Sequence, residues 1–353
     1  MTTPSRRVLF LGGPGNISDS TIRHFLRSDA VVGVVKRRPD HLLGYDGKIE
    51  VYLGDRDNEI FLSETLATFR PDILIDATCF DPQQAHTVIR ALSAHRPDRL
   101  IFVSTADVYG YPLSHLPMRE DHPWNAAAGD YAINKKACEE IFRQALGADN
   151  HTSLTIIRPG YSLGKTFAMT AFGIHRGGHL VSRLRRGLPI LSPGDGTTLL
   201  DVCAAHNTGL MIAHICESDL SRGRDYTCGH YGPTTYDEYL HAFAEAVGVE
   251  PLIEHIPTDF ILSLDHPQIL SSALRDLTQH HLYFSVERFR TDFPDFTWEY
   301  SLADAARDFI AYQESINGFA RADQIDIEDQ ILRIWQEGKS KMQQQFSAQV
   351  IPG

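Results

Sequence analysis

Hydrophobic and polar positions along this chain fall into two repeating patterns. Short apolar runs stand at 8–11, 30–35, 49–53, 71–78, 99–105 and 153–157. Between them lie longer amphipathic stretches with helical spacing, at 21–26, up to about 69, at 82–95 and at 130–146. Apolar runs without in–out alternation predict strands covered on both faces, and strands alternating with helices of this length predict parallel crossover units. The expectation is an α/β fold with a doubly wound parallel sheet, in which ligands bind outside the carboxyl ends of the strands.

Past residue 160 the alternation loosens. The pattern predicts a helix over 172–186, a short strand at 188–190, a turn at Gly194-Asp195-Gly196, a helix over 206–217 and a strand at 225–228. A helix over 236–247 and a strand at 253–256 follow, and the remainder reads as mostly helical, ending with 325–346. Ile327, Ile331, Leu332, Ile334 and Trp335 form an apolar stripe there, read as packing or a subunit contact, which leaves a homodimer as one assembly.

Composition narrows the chemistry. Of 353 residues, 42% are hydrophobic and 22% charged, the balance of a globular chain. A net charge of −12 argues against nucleic acid or anionic lipid as a partner and favours a small-molecule substrate. Five cysteines, at 79, 138, 203, 216 and 228, form no Cys-x-x-Cys pair; they read as reduced structural thiols. No metal-ligand spacing occurs, and His115 and His122 read as surface residues. The N-terminus is short and polar, and no apolar stretch is long enough to cross a membrane, so the expected location is cytoplasmic.

The strand ends carry the candidate site. Gly12-Gly13-Pro14-Gly15-Asn16-Ile17-Ser18 follows the first strand and opens a helix, where a glycine turn and free N–H groups suit a pyrophosphate. The second strand ends in Lys36-Arg37-Arg38; cations at that position suit a ribose 2′-phosphate, so NADP(H) is favoured over NAD(H). Asp55, Thr78 and Thr105 lie at or just past later strand ends. A long polar segment, 106–129, reads as a substrate-facing loop, and the helix after it carries Tyr131 and Lys135. Four-residue spacing puts phenol and ammonium on one helix face, where the cation would lower the phenol pKa. Chance supplies roughly one such pair in four chains of this composition. A second pair, Tyr161 and Lys165, falls in loop after Pro159-Gly160, where the spacing has no geometric force.

These features together resemble the extended short-chain dehydrogenases/reductases, the NAD(P)-dependent epimerase/dehydratase group. The matching segments are the glycine turn, Gly54-Asp55-Arg56-Asp57, Val103-Ser104-Thr105-Ala106-Asp107-Val108-Tyr109-Gly110, Tyr131-x-x-x-Lys135 and Arg158-Pro159-Gly160-Tyr161-Ser162-Leu163-Gly164. The resemblance implies a Rossmann-type dinucleotide-binding domain over 1–165, rejoined by about 198–232. Residues 166–197 and 233–353 would form a smaller, mostly helical substrate-binding part. It implies a catalytic set of Thr105, Tyr131 and Lys135, with Tyr131 as proton donor or acceptor. The implied cofactor contacts are Gly12, Gly15, Asn16, Ile17, Lys36, Arg37, Arg38, Asp55, Arg56, Ala77, Thr78, Ser104, Tyr131, Lys135, Pro159 and Tyr161.

Three departures from the group's pattern steer the reaction. Ala106 stands where related dehydratases carry an acid, which argues against elimination of water. Thr197 stands where nucleotide-sugar enzymes carry an arginine, which argues against a diphosphate-bearing substrate. The segment Asp201-Val202-Cys203-Ala204-Ala205-His206 lacks the usual acid pair, and stretches of 187–240 look like a branch that includes RNA-binding proteins. That branch often loses the Tyr-x-x-x-Lys pair, which this chain keeps. The expected activity is hydride transfer to or from a small or medium alcohol or ketone. The alternatives are a sugar epimerase using NAD and a non-catalytic dinucleotide-sensing or RNA-binding protein.

Overall fold

A computed structural model describes residues 5–39, 43–126, 129–147, 151–173, 176–319 and 327–348. The first four residues of the polar N-terminus, 127–128 of the loop before Tyr131, 174–175 of the expected helix 172–186 and 325–326 of the last expected helix lie outside them.

A seven-stranded parallel sheet organises the chain. Its strands are β1 (Arg7–Leu11), β2 (Val31–Lys36), β3 (Glu50–Leu53), β4 (Ile73–Asp76), β5 (Arg99–Val103), β6 (Ser153–Pro159) and β11 (Asp225–Cys228), in the order β11-β6-β5-β4-β1-β2-β3. Three short pairs lie outside it: β7 (Tyr161–Leu163) with β10 (Val202–Ala204), β8 (Ile190–Pro193) with β13 (Ile253–Ile256), and β9 (Leu199–Leu200) with β12 (Thr234–Thr235). The doubly wound architecture follows from the side-chain period of two. Val8 and Phe10 pack on one face with Ile22, Phe25, Met211 and Ile215, whereas Leu9 and Leu11 pack on the other with Leu62, Leu66, Val88 and Phe142. Each fully buried Leu or Phe contributes about 1.5–3 kcal/mol, so both faces hold the sheet.

Helices α1 (Ser18–Arg27) and α6 (Ala205–Glu217) cover the first face; α2 (Glu59–Phe69), α3 (Pro82–Ala91) and α4 (Asp130–Leu146) cover the second. The α1–α6 contact is close because Gly209 lacks a side chain: a Cβ there would stand 2.1 Å from Ser20 Oγ. Hydroxyls cross the gap, from Thr21 Oγ1 to the Gly209 carbonyl at 2.8 Å and from Ser20 Oγ to the His206 carbonyl at 2.9 Å. A third core, with Leu180, Tyr239, Phe243, Phe309 and Ile331, gathers the C-terminal helices, including Tyr236–Val247, Leu302–Ser315 and Ile327–Ala348. None of the described helices is long and apolar enough to cross a membrane.

Three boundaries differ from the sequence reading. The strand expected over 153–157 continues through Arg158 and Pro159, because β11 lies alongside and pairs Thr227 with Arg158 and Cys228 with Pro159. The helix expected over 172–186 is α5 (Gly177–Arg185), since Thr170 bridges to Gly173 and the Ala171 amide donates to Tyr236 Oη at 2.7 Å instead of propagating a helix. The strand expected at 188–190 moves to β8, in register with Ile253–Ile256.

Candidate active site

The turn after β1 is built for close approach. Gly12 has φ +89°, and a Cβ on it would lie 2.1 Å from Thr78 Cγ2, so only glycine fits between the ends of β1 and β4. Thr78 fixes that contact by donating from Oγ1 to the Leu11 carbonyl at 3.1 Å, while its amide donates to Asp76 Oδ1 at 3.2 Å. The Gly15 amide donates to Ser18 Oγ at 2.9 Å, and the first turn of α1 has no side-chain cap. Asn16 clamps the turn to the opposite wall, donating to the Ser162 carbonyl at 2.6 Å and accepting from the Thr166 amide at 3.2 Å.

One cavity of about 410 Å³ opens beyond the carboxyl ends of the sheet. Asn16, Ile17, Ala77, Ser104, Thr105, Tyr131, Lys135, Pro159 and Tyr161 all line it, so nine residues named from the sequence meet at one place. Thr105 caps the single turn 106–109, accepting from the Asp107 amide at 3.2 Å, and lines the cavity together with Tyr131. Tyr131 sits in the first turn of α4, half exposed as a residue. Burial and the nearby Asp107 charge push its pKa up to about 12, with the Thr105 hydrogen bond pulling the other way.

Lys135 does not act on the phenol as the spacing argument expected. Its ammonium is 1% exposed, donates to the Val103 carbonyl at 2.7 Å, and lies 5.1 Å and 4.9 Å from the Phe80 and Phe102 ring centres. Burial lowers its pKa, and the phenol stays protonated. Spacing fixed the helix face; the strand-end carbonyl fixed where the ammonium goes.

Helix α4 is held in place from below. Arg158, buried at 0% exposure, forks onto Glu139 with contacts of 2.9 Å and 2.6 Å and reaches Asp225 at 3.0 Å. Cys138, on the same helix, lies with Sγ 3.7 Å from Cys79 Sγ.

The remaining named residues lie apart from the cavity. Arg37 and Arg38 are exposed beyond β2 and line a separate depression, Lys36 is the last residue of β2, and Asp55 is exposed, accepting from the Asp57 amide at 3.1 Å. Arg56 turns inward: it pairs with Asp76 at 2.6 Å and donates to the Gln84 carbonyl at 3.2 Å. Tyr161 belongs to β7 rather than to loop, and Lys165 pairs with Asp19 at 2.7 Å, so that second spacing match is two unrelated contacts.

The cavity also has walls to which the sequence reading gave no site role, Phe80, Asp107, Phe167 and Leu277. Asp107 carried a local signal, since Thr-x-Asp is a capping pattern that turns the third residue back beside the first. Phe167 and Leu277 carried none, being brought in by distant segments. The residues present fit a dinucleotide: α1 starts after the glycine turn without a side-chain cap, and Ser104 Oγ is buried at the cavity with no partner among the described residues.

A family model described as the NAD dependent epimerase/dehydratase family matches residues 8–229. The 2'-dehydrokanamycin reductase of Streptomyces kanamyceticus is 28% identical over 221 residues, which span 62% of this chain and 60% of that protein. The UDP-glucose 4-epimerase of Bifidobacterium longum, solved with NAD+ and UDP, superposes with a TM-score of 0.70 at 18% identity, over 89% of this chain and 99% of its own. The Bordetella bronchiseptica enzyme WbmH, solved with NAD+, superposes with a TM-score of 0.68 at 16% identity, over 88% and 98%. At such identities the likeness to the two structures is one of fold.

Proposed function

Because the chain belongs to the NAD dependent epimerase/dehydratase family, we propose that it is an oxidoreductase in which Tyr131 exchanges a proton with the oxygen of a small or medium alcohol or ketone. The observation that carries the reading is the meeting of Thr105, Tyr131 and Lys135 on one cavity that Asn16 and Ile17 of the glycine turn also line. When bound, a nicotinamide cofactor supplies or accepts the hydride. Gly12, Gly15 and the first turn of α1 would hold its pyrophosphate, and Ser104 Oγ and Lys135 would face its ribose and nicotinamide end.

A phenol held neutral is the form that can give a proton, so the site suits reduction of a ketone. Thr105, on the same cavity, would hydrogen-bond that oxygen beside the phenol. The reductase relative supports this direction. Arg37 and Arg38, exposed where an adenosine ribose would lie, support NADP(H) over NAD(H). The five cysteines are buried and free, which supports a reducing, cytoplasmic setting.

The Tyr131→Phe protein tests the assignment. It should bind NADPH like the parent, read by thermal shift, and lose at least about a hundredfold in turnover. Retained turnover overturns the reading.

A further inference from the structure

The wall opposite the glycine turn carries a charge that proton transfer does not use. Asp107 Oδ1 accepts from Tyr111 Oη at 2.7 Å and from Tyr161 Oη at 3.1 Å. Burial first, and the Asp107 charge second, hold both phenols far above their ordinary pKa, so they remain neutral donors. Among the described residues nothing donates to Oδ2, and no Lys, Arg or His pairs with this carboxylate. The other charge on the cavity, Lys135, is occupied by the Val103 carbonyl.

Aromatic faces complete the wall. Tyr161 stacks on Phe167 at 6.4 Å and 23°, and Tyr131 leans on Phe80 at 6.4 Å. A partly buried carboxylate held by two phenols with no counter-cation, on a cavity that Phe80 and Phe167 also line, is the chemistry that recognises an alkylammonium. The chain's net charge of −12 favours approach of cations.

Resting on the oxidoreductase reading, we propose that Asp107 is an ammonium subsite and that the substrate is an amino-bearing alcohol or ketone. Its protonated amine sits on Asp107 Oδ2 against Tyr161 and Phe167 while its oxygen meets Thr105 and Tyr131. An ammonium seated there also offsets the Asp107 charge, which after burial is the second cause that raises the Tyr131 pKa, so the correct substrate makes its own proton donor more acidic.

Calorimetric titration of the NADP+-loaded enzyme at neutral pH tests this with three probes: trans-2-aminocyclohexanol, its N-acetyl derivative and trans-1,2-cyclohexanediol. The amine should bind at least roughly tenfold more tightly than either neutral probe. Equal affinities in the wild-type protein overturn the proposal without need of any variant. In Asp107→Asn, whose amide oxygen still accepts from both phenols, the gap should shrink to within about twofold, and in Asp107→Glu it should persist. A gap that survives Asp107→Asn overturns the proposal too. The two readings fail separately. If the oxidoreductase reading is wrong, no probe is oxidised and the affinity gap remains; if the subsite is wrong, the gap is absent while turnover of the neutral diol persists.

Discussion

The Lys135 ammonium donates to the Val103 carbonyl at 2.7 Å, reaching the end of β5 rather than the phenol one helical turn before it on α4. A single cation therefore ties the site helix to the strand that leads into Ser104 and Thr105. Lys135→Met keeps the stem and removes the donor. Turnover should fall by at least about a hundredfold while Tyr131 stays in place. Steady-state kinetics with thermal unfolding reads this, and a variant that keeps its turnover removes Lys135 from the chemistry.

Cofactor selection should lie in Arg37 and Arg38. The parent should gain more thermal stability from NADP(H) than from NAD(H), and Arg37→Ala/Arg38→Ala should erase the difference. Equal shifts in the parent would remove the argument from charge at the end of β2.

Gly12→Ala puts a methyl group against Thr78 Cγ2 in a backbone conformation at φ +89° that side chains resist. We expect a loss of about 1–3 kcal/mol and weakened dinucleotide binding. Adding Thr78→Ser removes the methyl at 2.1 Å and should restore part of the stability, because the positive φ remains. Urea unfolding of the three proteins measures both contributions.

Glu139→Gln leaves Arg158 buried without its main partner and should cost about 3–5 kcal/mol. Replacing both, Glu139→Gln with Arg158→Met, should recover much of that. A single-variant loss below about 1 kcal/mol in urea would mean that Asp225 alone satisfies the guanidinium.

Asp201 makes stability depend on pH. It is 1% exposed, and burial pushes it up to about 7 against hydrogen bonds from the Phe284 and His230 amides. The folded state therefore binds this proton more tightly than the unfolded chain, whose carboxyl titrates near 3.8. Its contribution is fully present below that lower value and is lost as pH rises to about 7, by about 4 kcal/mol at most. Asp201→Asn should flatten the slope between pH 4 and about 7 in chemical denaturation; an unchanged slope assigns it to other groups.

The sheet and the shared helix face of Tyr131 and Lys135 were legible because both rest on local periodicity, whereas Thr105 joined them through the family resemblance. Strands buried on two faces show as unbroken apolar runs, and four-residue spacing fixes a helix face whatever surrounds it. What the sequence could not show depends on segments far apart in the chain. The extension of β6 through Pro159 needs β11, the inward turn of Arg56 needs Asp76, and the Lys135 contact needs the end of β5. Asp107 sat in plain view two residues after Thr105, but its role depends on Tyr111 and Tyr161 converging on it.

Strand β11 enters the sheet only after the chain has left β6 and passed through β7 to β10. A fragment stopped at residue 165 would keep every glycine of the turn after β1 and every member of the Thr-Tyr-Lys set. It would also bare the edge of β6 to other chains, strip Asp225 from Arg158 and uncover the face of α1 that α6 occupies. Such a fragment should aggregate rather than bind dinucleotide, so transplanting the cofactor half into a chimaera requires carrying the segment through Cys228 with it.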